Sequence, residues 1–331
     1  MVLAPMSGVT CMAFRRLIKE LNPGSVGLVI SEFISVEGMT RDSKRSLEMM
    51  RYDESERPFG IQIFGHDITR MRDAAVMVEQ SGADILDINC GCPAPKVVKR
   101  GGGCELMRQP EHLAEIFKAV RKAVSIPLTM KMRSGWDDSC LNSPEIAKIA
   151  EAEGIEAITV HGRSRTQLYR GLANWEIISE IIKQVKIPVF GSGDVTDRES
   201  AIERLQSGVV GLYVGRAAIY NPFVFSEIMT GQKVLHPSDE SLVLKVIERY
   251  IGLLLEEFPA RSCVGKVKQL VSQFVRGYEW RREMCRANTL EDQISILKRV
   301  RDRVNGESPD TSNLILPQDL ISSRDDACQT L

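Results

Sequence analysis

The chain has 331 residues, 43% hydrophobic and 26% charged, with a formal net charge of −1. That gives room for one large domain and a smaller one, and the near-neutral balance excludes a generally basic nucleic-acid binder while leaving local patches open. No apolar run has the length of a membrane-spanning helix and no cleavable leader opens the chain, so a cytoplasmic protein is expected; eight irregularly spaced cysteines do not suggest a disulfide scaffold.

Short β-rich runs alternate with amphipathic stretches over the first two-thirds of the chain. Strands are expected at 2–4, 27–32, 60–64, 85–89, 128–132, 157–161, 189–191 and 211–214. Helices are expected at 12–21, 68–81, 110–124, 143–153, 175–185, 197–206 and 216–229. Start signals support some of them, such as Ser143-Pro144 and Thr196-Asp197. The second unit is mixed, with loop and helix sharing 36–51. Eight strand–helix units of this size predict a (β/α)8 TIM barrel over residues 1–234.

After residue 235 the strands stop. Stretches 241–258, 262–279 and 289–304 carry apolar residues at three- and four-residue spacing, which predicts a smaller all-helical domain over 235–304. Residues 305–331 turn polar and acidic, and a poorly ordered tail is expected there. From Arg261 to Arg303 there are 11 lysines and arginines against 5 acidic residues. Lys266, Lys268 and Arg276, interleaved with Gln269, Tyr278 and Trp280, suit an RNA surface as well as a solvated helix face.

The stretch from Asp84 to Leu106 organises the chemistry. In the strand 85–89 side chains alternate, so Asp87 and Asn89 share one face with Ile85, and Leu86, Ile88 and Cys90 share the other. Pro93 ends the ladder because it has no amide hydrogen. Cys92 therefore sits in a turn just past a strand's C-terminal end, where barrels place their chemistry. Cys90 reads as a packed small hydrophobe. A metal site of Cys90, Cys92 and Cys104 is set aside, because C-x-C lacks zinc-knuckle spacing and no second pair answers it.

Polar residues collect at the same end of other strands: Pro5-Met6, Gln62, Asn89, Lys131 and His161. Singly, Lys131 reads equally as a solvated lysine and His161 as a structural histidine. After strands seven and eight, Gly191-Ser-Gly-Asp194 and Val214-Gly-Arg216 let backbone amides converge on a phosphate at a helix start. A phosphorylated cofactor such as FMN is expected, with the Met6 backbone and Gln62 near its ring and Lys131 beside its anionic edge.

Asn89-Cys-Gly-Cys-Pro93, Lys96-Val97 and Gly101-Gly-Gly-Cys-Glu-Leu106 resemble the signature of the tRNA-dihydrouridine synthases, the bacterial B-type members most closely. The similarity runs from Val2 to about Phe225. It implies NADPH- and FMN-dependent reduction of uridine in tRNA, with Cys92 as the catalytic proton donor and no obligate protein partner. It implies FMN contacts at Pro5, Met6, Ser7, Gln62, Lys131, Ser192, Gly193, Asp194, Gly215 and Arg216. His161 and Asn89 match positions lining the site, and Arg163 and Arg165 look RNA-facing.

Three departures from the family pattern stand out. Ser192 replaces the usual Asn before Gly-Asp, so backbone rather than side-chain contact is expected there. Cys11 replaces an Asp after Thr10. The chain starts at its first strand without the usual short leader, from which a less well closed barrel floor is expected. The rival readings are an FMN barrel acting on a free pyrimidine such as dihydroorotate, which needs no basic helical domain, and an RNA-binding barrel without catalysis, which needs no Gln62, Cys92 and Lys131.

Overall fold

The computed structural model describes residues 1–236 and 239–306. Nine strands form one parallel sheet: β1 (Val2–Leu3), β2 (Leu28–Ile30), β3 (Ile34–Ser35), β4 (Phe59–Phe64), β5 (Ile85–Cys90), β6 (Leu128–Arg133), β7 (Ala157–His161), β8 (Val189–Ser192) and β9 (Gly211–Val214). β1 pairs with both β2 and β9, and β2 pairs with β4, so the sheet closes on itself. β2 and β3 both pair with β4 and together form one interrupted stave. The result is the expected eight-staved barrel, with the second stave shorter than 27–32 and resumed after a break at 31–33.

The register sorts the lumen into two halves. Across β4 to β7, Gln62 lies beside Asp87, Asp87 beside Thr129, Asn89 beside Lys131, and Lys131 beside Thr159. Val2, Ala4, Ile30 and Tyr213 form an apolar cluster, joined by Leu28 and Phe190. Burial pushes the Tyr213 phenol up, and the Thr159 side chain opposes it.

Two expected helices are broken. The stretch 216–229 becomes helices Arg216–Tyr220 and Val224–Thr230, parted at Pro222, which has no N–H to give a helix. The stretch 262–279 is helix only over Ala260–Phe274. It resumes at Trp280–Arg286 after Gly277, whose φ is +85°. The last helix, Leu290–Asn305, starts on a Thr289–Asp292 capping box. The tail expected at 305–331 lies outside the described residues from 307 onward.

By contacts the chain divides into two compact units. One is Met1–Cys11 with Pro23–Gly215; the other is Met12–Asn22 with the residues from Arg216. Helix Met12–Leu21 thus groups with the C-terminal helices. Phe14 meets Tyr250 edge-on at 6.1 Å, Arg249 pairs with Glu20 at 2.6 Å, and Asn22 Nδ2 donates to Pro222 O at 2.7 Å. No described helix is long and apolar enough to cross a membrane.

Candidate active site at the barrel mouth

Cys92 follows β5 directly, 8% exposed. Its N–H donates to Asn89 Oδ1 at 2.9 Å, and its carbonyl accepts from Cys104 N–H at 3.1 Å. The loop therefore begins and ends at Cys92. Gly103 makes that return possible: at φ +60° its missing Cβ would lie 2.5 Å from Cys92 O. Burial raises the Cys92 thiol pKa, opposed by the Ala94 backbone N–H and by Arg133, so the thiol stays protonated at neutral pH. Cys90 is fully buried, and burial pushes its thiol further up.

Asn89 is the first link of a hydrogen-bond chain running into the lumen. Its Nδ2 donates to Gln62 Oε1 at 2.7 Å, and Gln62 Nε2 donates to Asp87 Oδ2 at 2.6 Å. Asp87 Oδ1 accepts from Thr129 Oγ1 at 2.5 Å. Gln62 is fully buried with both ends of its amide engaged. Asp87 was assigned no role from the sequence, although its parity with Asn89 put it on the same face. Burial raises the Asp87 pKa, while Gln62, Thr129 and Lys131 pull it back.

Lys131 is half-buried, beside Asn89 in register. Burial first, and then the Arg133 guanidinium, lower its pKa to about 8; Asp87 opposes them. A lysine held this way gains from an anionic ligand group. Arg133, which sequence reasoning passed over, is 2% exposed. It donates to Gly91 O at 3.1 Å and to Ser164 O and Leu168 O at 2.8 Å each. It thereby ties the Cys92 turn to the loop after β7.

Arg163 corrects an expectation. It is not RNA-facing but 2% exposed, and its guanidinium grips both oxygens of Asp194 at 2.7 and 2.8 Å and Gly171 O at 2.6 Å. Asp194 also accepts from Ala173 N–H at 2.7 Å. Its carboxylate is therefore committed to holding the loop, and its backbone is what remains for a ligand. Arg165 is half-buried against the Trp136 ring at 4.6 Å, with Arg108 at 4.5 Å from the same ring.

The 192–194 loop, where a phosphate cradle is expected, contains two residues at positive φ. Gly193 adopts φ +120°, and a Cβ there would meet Ala173 at 2.6 Å and the His161 ring at 3.0 Å. Asp194 is held at φ 55°. His161 is nearly buried, paired in register with Ser192. Gly215 follows β9, and a Cβ there would lie 3.5 Å from Met6 Sδ. Arg216 opens the next helix and belongs to the second unit.

At the end of β1, Pro5-Met6-Ser7 is held by Thr10. The Met6 N–H donates to Thr10 Oγ1 at 3.0 Å, and Met6 O accepts from Val9 N–H, Thr10 N–H and Thr10 Oγ1. The Met6 backbone is thus engaged in its own turn. Cys11 is buried next to this turn.

In the helical unit Lys266 and Lys268 are half-buried and Arg276 is exposed. Lys266 lies over the Phe258 ring at 4.7 Å and Arg276 over Tyr220 at 5.0 Å. Trp280, expected among RNA-contacting aromatics, is buried, and its Nε1 donates to Glu240 at 2.7 Å.

A sequence model of the family dihydrouridine synthase (Dus) matches residues 2–305. A probable tRNA-dihydrouridine synthase of Rickettsia bellii is 44% identical over 259 residues, 76% of this chain and 78% of its own length. That of Rickettsia prowazekii is 37% identical over 309 residues, 91% of this chain and 93% of its own. The tRNA-dihydrouridine synthase B of Pseudomonas aeruginosa is 42% identical over 229 residues, covering 69% and 68%. Among solved structures, a 2-naphthoyl-CoA reductase complex aligns with TM-score 0.51 at 15% identity over 70% of this chain and 49% of that one, a likeness of fold alone.

Proposed function

This chain belongs to the dihydrouridine synthase family, and on that footing we propose that it reduces the C5–C6 double bond of uridine in tRNA to dihydrouridine, with NADPH as reductant, FMN as cofactor and Cys92 as proton donor. The observation that carries the reading is the Cys92 turn: a protonated thiol just past β5, fixed through Asn89 to a buried polar chain.

The residues present fit FMN. The backbone of Ser192, Gly193 and Asp194 with Gly215 and Arg216 would hold its phosphate, and Lys131 would sit at its ring, with His161 beside the cradle. When bound, FMN supplies hydride transfer from NADPH to C6 of the uridine. The rest is done by side chains of this protein. Cys92 gives its thiol proton to C5, as a general acid whose pKa lies above the working pH. Asn89 fixes the turn that aims it. Arg133 and Arg163 hold the two loops beneath the mouth.

Lys266, Lys268 and Arg276 supply charge for the tRNA backbone, and Arg165 lies at the mouth side of the same reading. The protein works in the cytoplasm on tRNA, without an obligate protein partner. Neutralising Lys266, Lys268 and Arg276 together should weaken tRNA binding and flatten its salt dependence, because phosphate contacts release counterions. Unchanged affinity in a filter-binding series would return these residues to a solvated helix face. The test of the function itself is direct. Purified protein should carry flavin absorbance and, with NADPH, form dihydrouridine in tRNA that lacks it; protein that neither carries nor takes up FMN contradicts the reading.

A further inference from the structure

Apart from the polar chain and the cradle, the described residues wall a further cavity. It has a volume of about 580 Å³ and is walled by the end of β3 and the residues after it (Ser35, Val36, Glu37), by the end of β4 and the residues after it (Phe64 to Asp67, with Arg70), and by Lys99 to Gly102. That size falls within the range of small-molecule sites. Its third wall is the outer edge of the loop that begins and ends at Cys92. Two residues of chain, at most about 7 Å, separate Gly102 from Cys104, and Cys104 N–H is bonded to Cys92 O. A ligand in the cavity therefore lies beside the mouth and touches the loop that carries the acid.

The charges in the wall are unevenly committed. Glu37 pairs with Arg41 at 2.6 Å and with Arg70 at 2.9 Å. Asp67 caps the helix Ile68–Gln80, accepting from Arg70 N–H at 2.8 Å. Lys99 and Arg100 are exposed, and no carboxylate among the described residues pairs with either. Beside these two cations, Val36 and Phe64 give an apolar wall, Phe64 being packed edge-on against Phe33 at 5.0 Å. Two uncommitted cations over an apolar wall suit a purine nucleoside bearing a phosphate monoester. A cavity of this volume that also holds carboxylates suits a small molecule better than a polynucleotide backbone.

We propose that this cavity takes the adenosine 2′-phosphate end of NADPH, with Lys99 and Arg100 on the phosphate, and so sets a preference for NADPH over NADH. This rests on NADPH being the reductant. The dinucleotide then runs from the cavity along the Cys92 loop towards the mouth, which makes the reductant a ligand of the loop that carries the acid.

The test uses the flavin-loaded protein and the double variant Lys99→Ala/Arg100→Ala. Calorimetric titration with adenosine 2′,5′-bisphosphate should show binding to the wild type that weakens about tenfold in the variant, as expected for lost charge-assisted contacts. Adenosine 5′-monophosphate should bind both weakly and alike. The ratio of kcat/KM for NADPH over NADH should fall by a similar factor, while tRNA affinity stays the same. Equal bisphosphate binding in the two proteins overturns the proposal, and so does a wild type that uses NADH as well as NADPH. A loss of tRNA affinity with an unchanged nucleotide preference also overturns it, and assigns the cations to RNA. Failure of the function reading looks different: a protein that takes up no flavin and oxidises neither nucleotide.

Discussion

Staves β4 to β7 turn Gln62, Asp87, Asn89, Thr129, Lys131 and Thr159 into the lumen, while β8, β9, β1 and β2 fill it with Phe190, Tyr213, Val2, Ala4, Leu28 and Ile30. The apolar half acts through volume, so its members are exchangeable within limits of size and shape. The polar half acts through orientation. Each amide in the Asn89–Gln62–Asp87 chain has a fixed donor end and a fixed acceptor end. Removing one member strands its neighbours in a buried setting, where an unmet hydrogen bond costs more than a met one contributes. Cys92 is attached to that half.

Five substitutions sharpen the contrast, from the largest expected effect to the smallest. Cys92→Ala should cut dihydrouridine formation by roughly 10²–10⁴-fold, the usual loss for a positioned acid. Cys90→Ala, two residues away on the outer face, should leave it near wild type; equal losses in both would erase the distinction between the faces. In the apolar half, Ile30→Ala should cost about 2–5 kcal/mol of stability in chemical denaturation while the folded protein keeps its specific activity. A large kinetic loss there would break the comparison.

Gln62→Ala should cost about 1–3 kcal/mol, by stranding Asp87 and Asn89. Unlike Ile30→Ala, it should also slow tRNA-dependent turnover, which a stability-matched assay of the two variants would read. A comparable effect concerns pH. The Lys131 pKa in the folded protein is lowered to about 8, so the unfolded chain keeps this proton to higher pH than the fold does. The cost of burying the charge is full below about 8 and is relieved as pH rises towards the ordinary lysine value. Flavin-free wild type should gain on Lys131→Met by on the order of 2 kcal/mol between pH 7 and 10, measured by denaturation midpoints. A flat difference would mean that Lys131 is not held in a charge-penalising site.

Most of the barrel was legible because each stave is a short apolar run bounded by turn residues, and the Cys92 turn was legible because Pro93 ends its strand. Asp87 was visible in parity and was passed over, since an acid in a strand looks the same in sequence whether it faces water or lumen. Arg163 was misread for a different reason. Its partner Asp194 is 31 residues away, and only closure of the sheet brings the loops after β7 and β8 together. Trp280 failed likewise: the basic residues around it suggested an exposed ring, and packing with Tyr278 and the bond to Glu240 was not visible locally. The helix breaks at Pro222 and Gly277 carried local signals that helical periodicity outweighed.

The central claim is that Cys92 supplies the proton for uridine reduction and nothing to the reduction of flavin. Stopped-flow absorbance of flavin-loaded Cys92→Ala separates the two steps. Flavin bleaching by NADPH should proceed at a near-wild-type rate, and reoxidation on mixing with unmodified tRNA should slow by roughly 10²–10⁴-fold. Reoxidation by tRNA at the wild-type rate in Cys92→Ala would contradict the account.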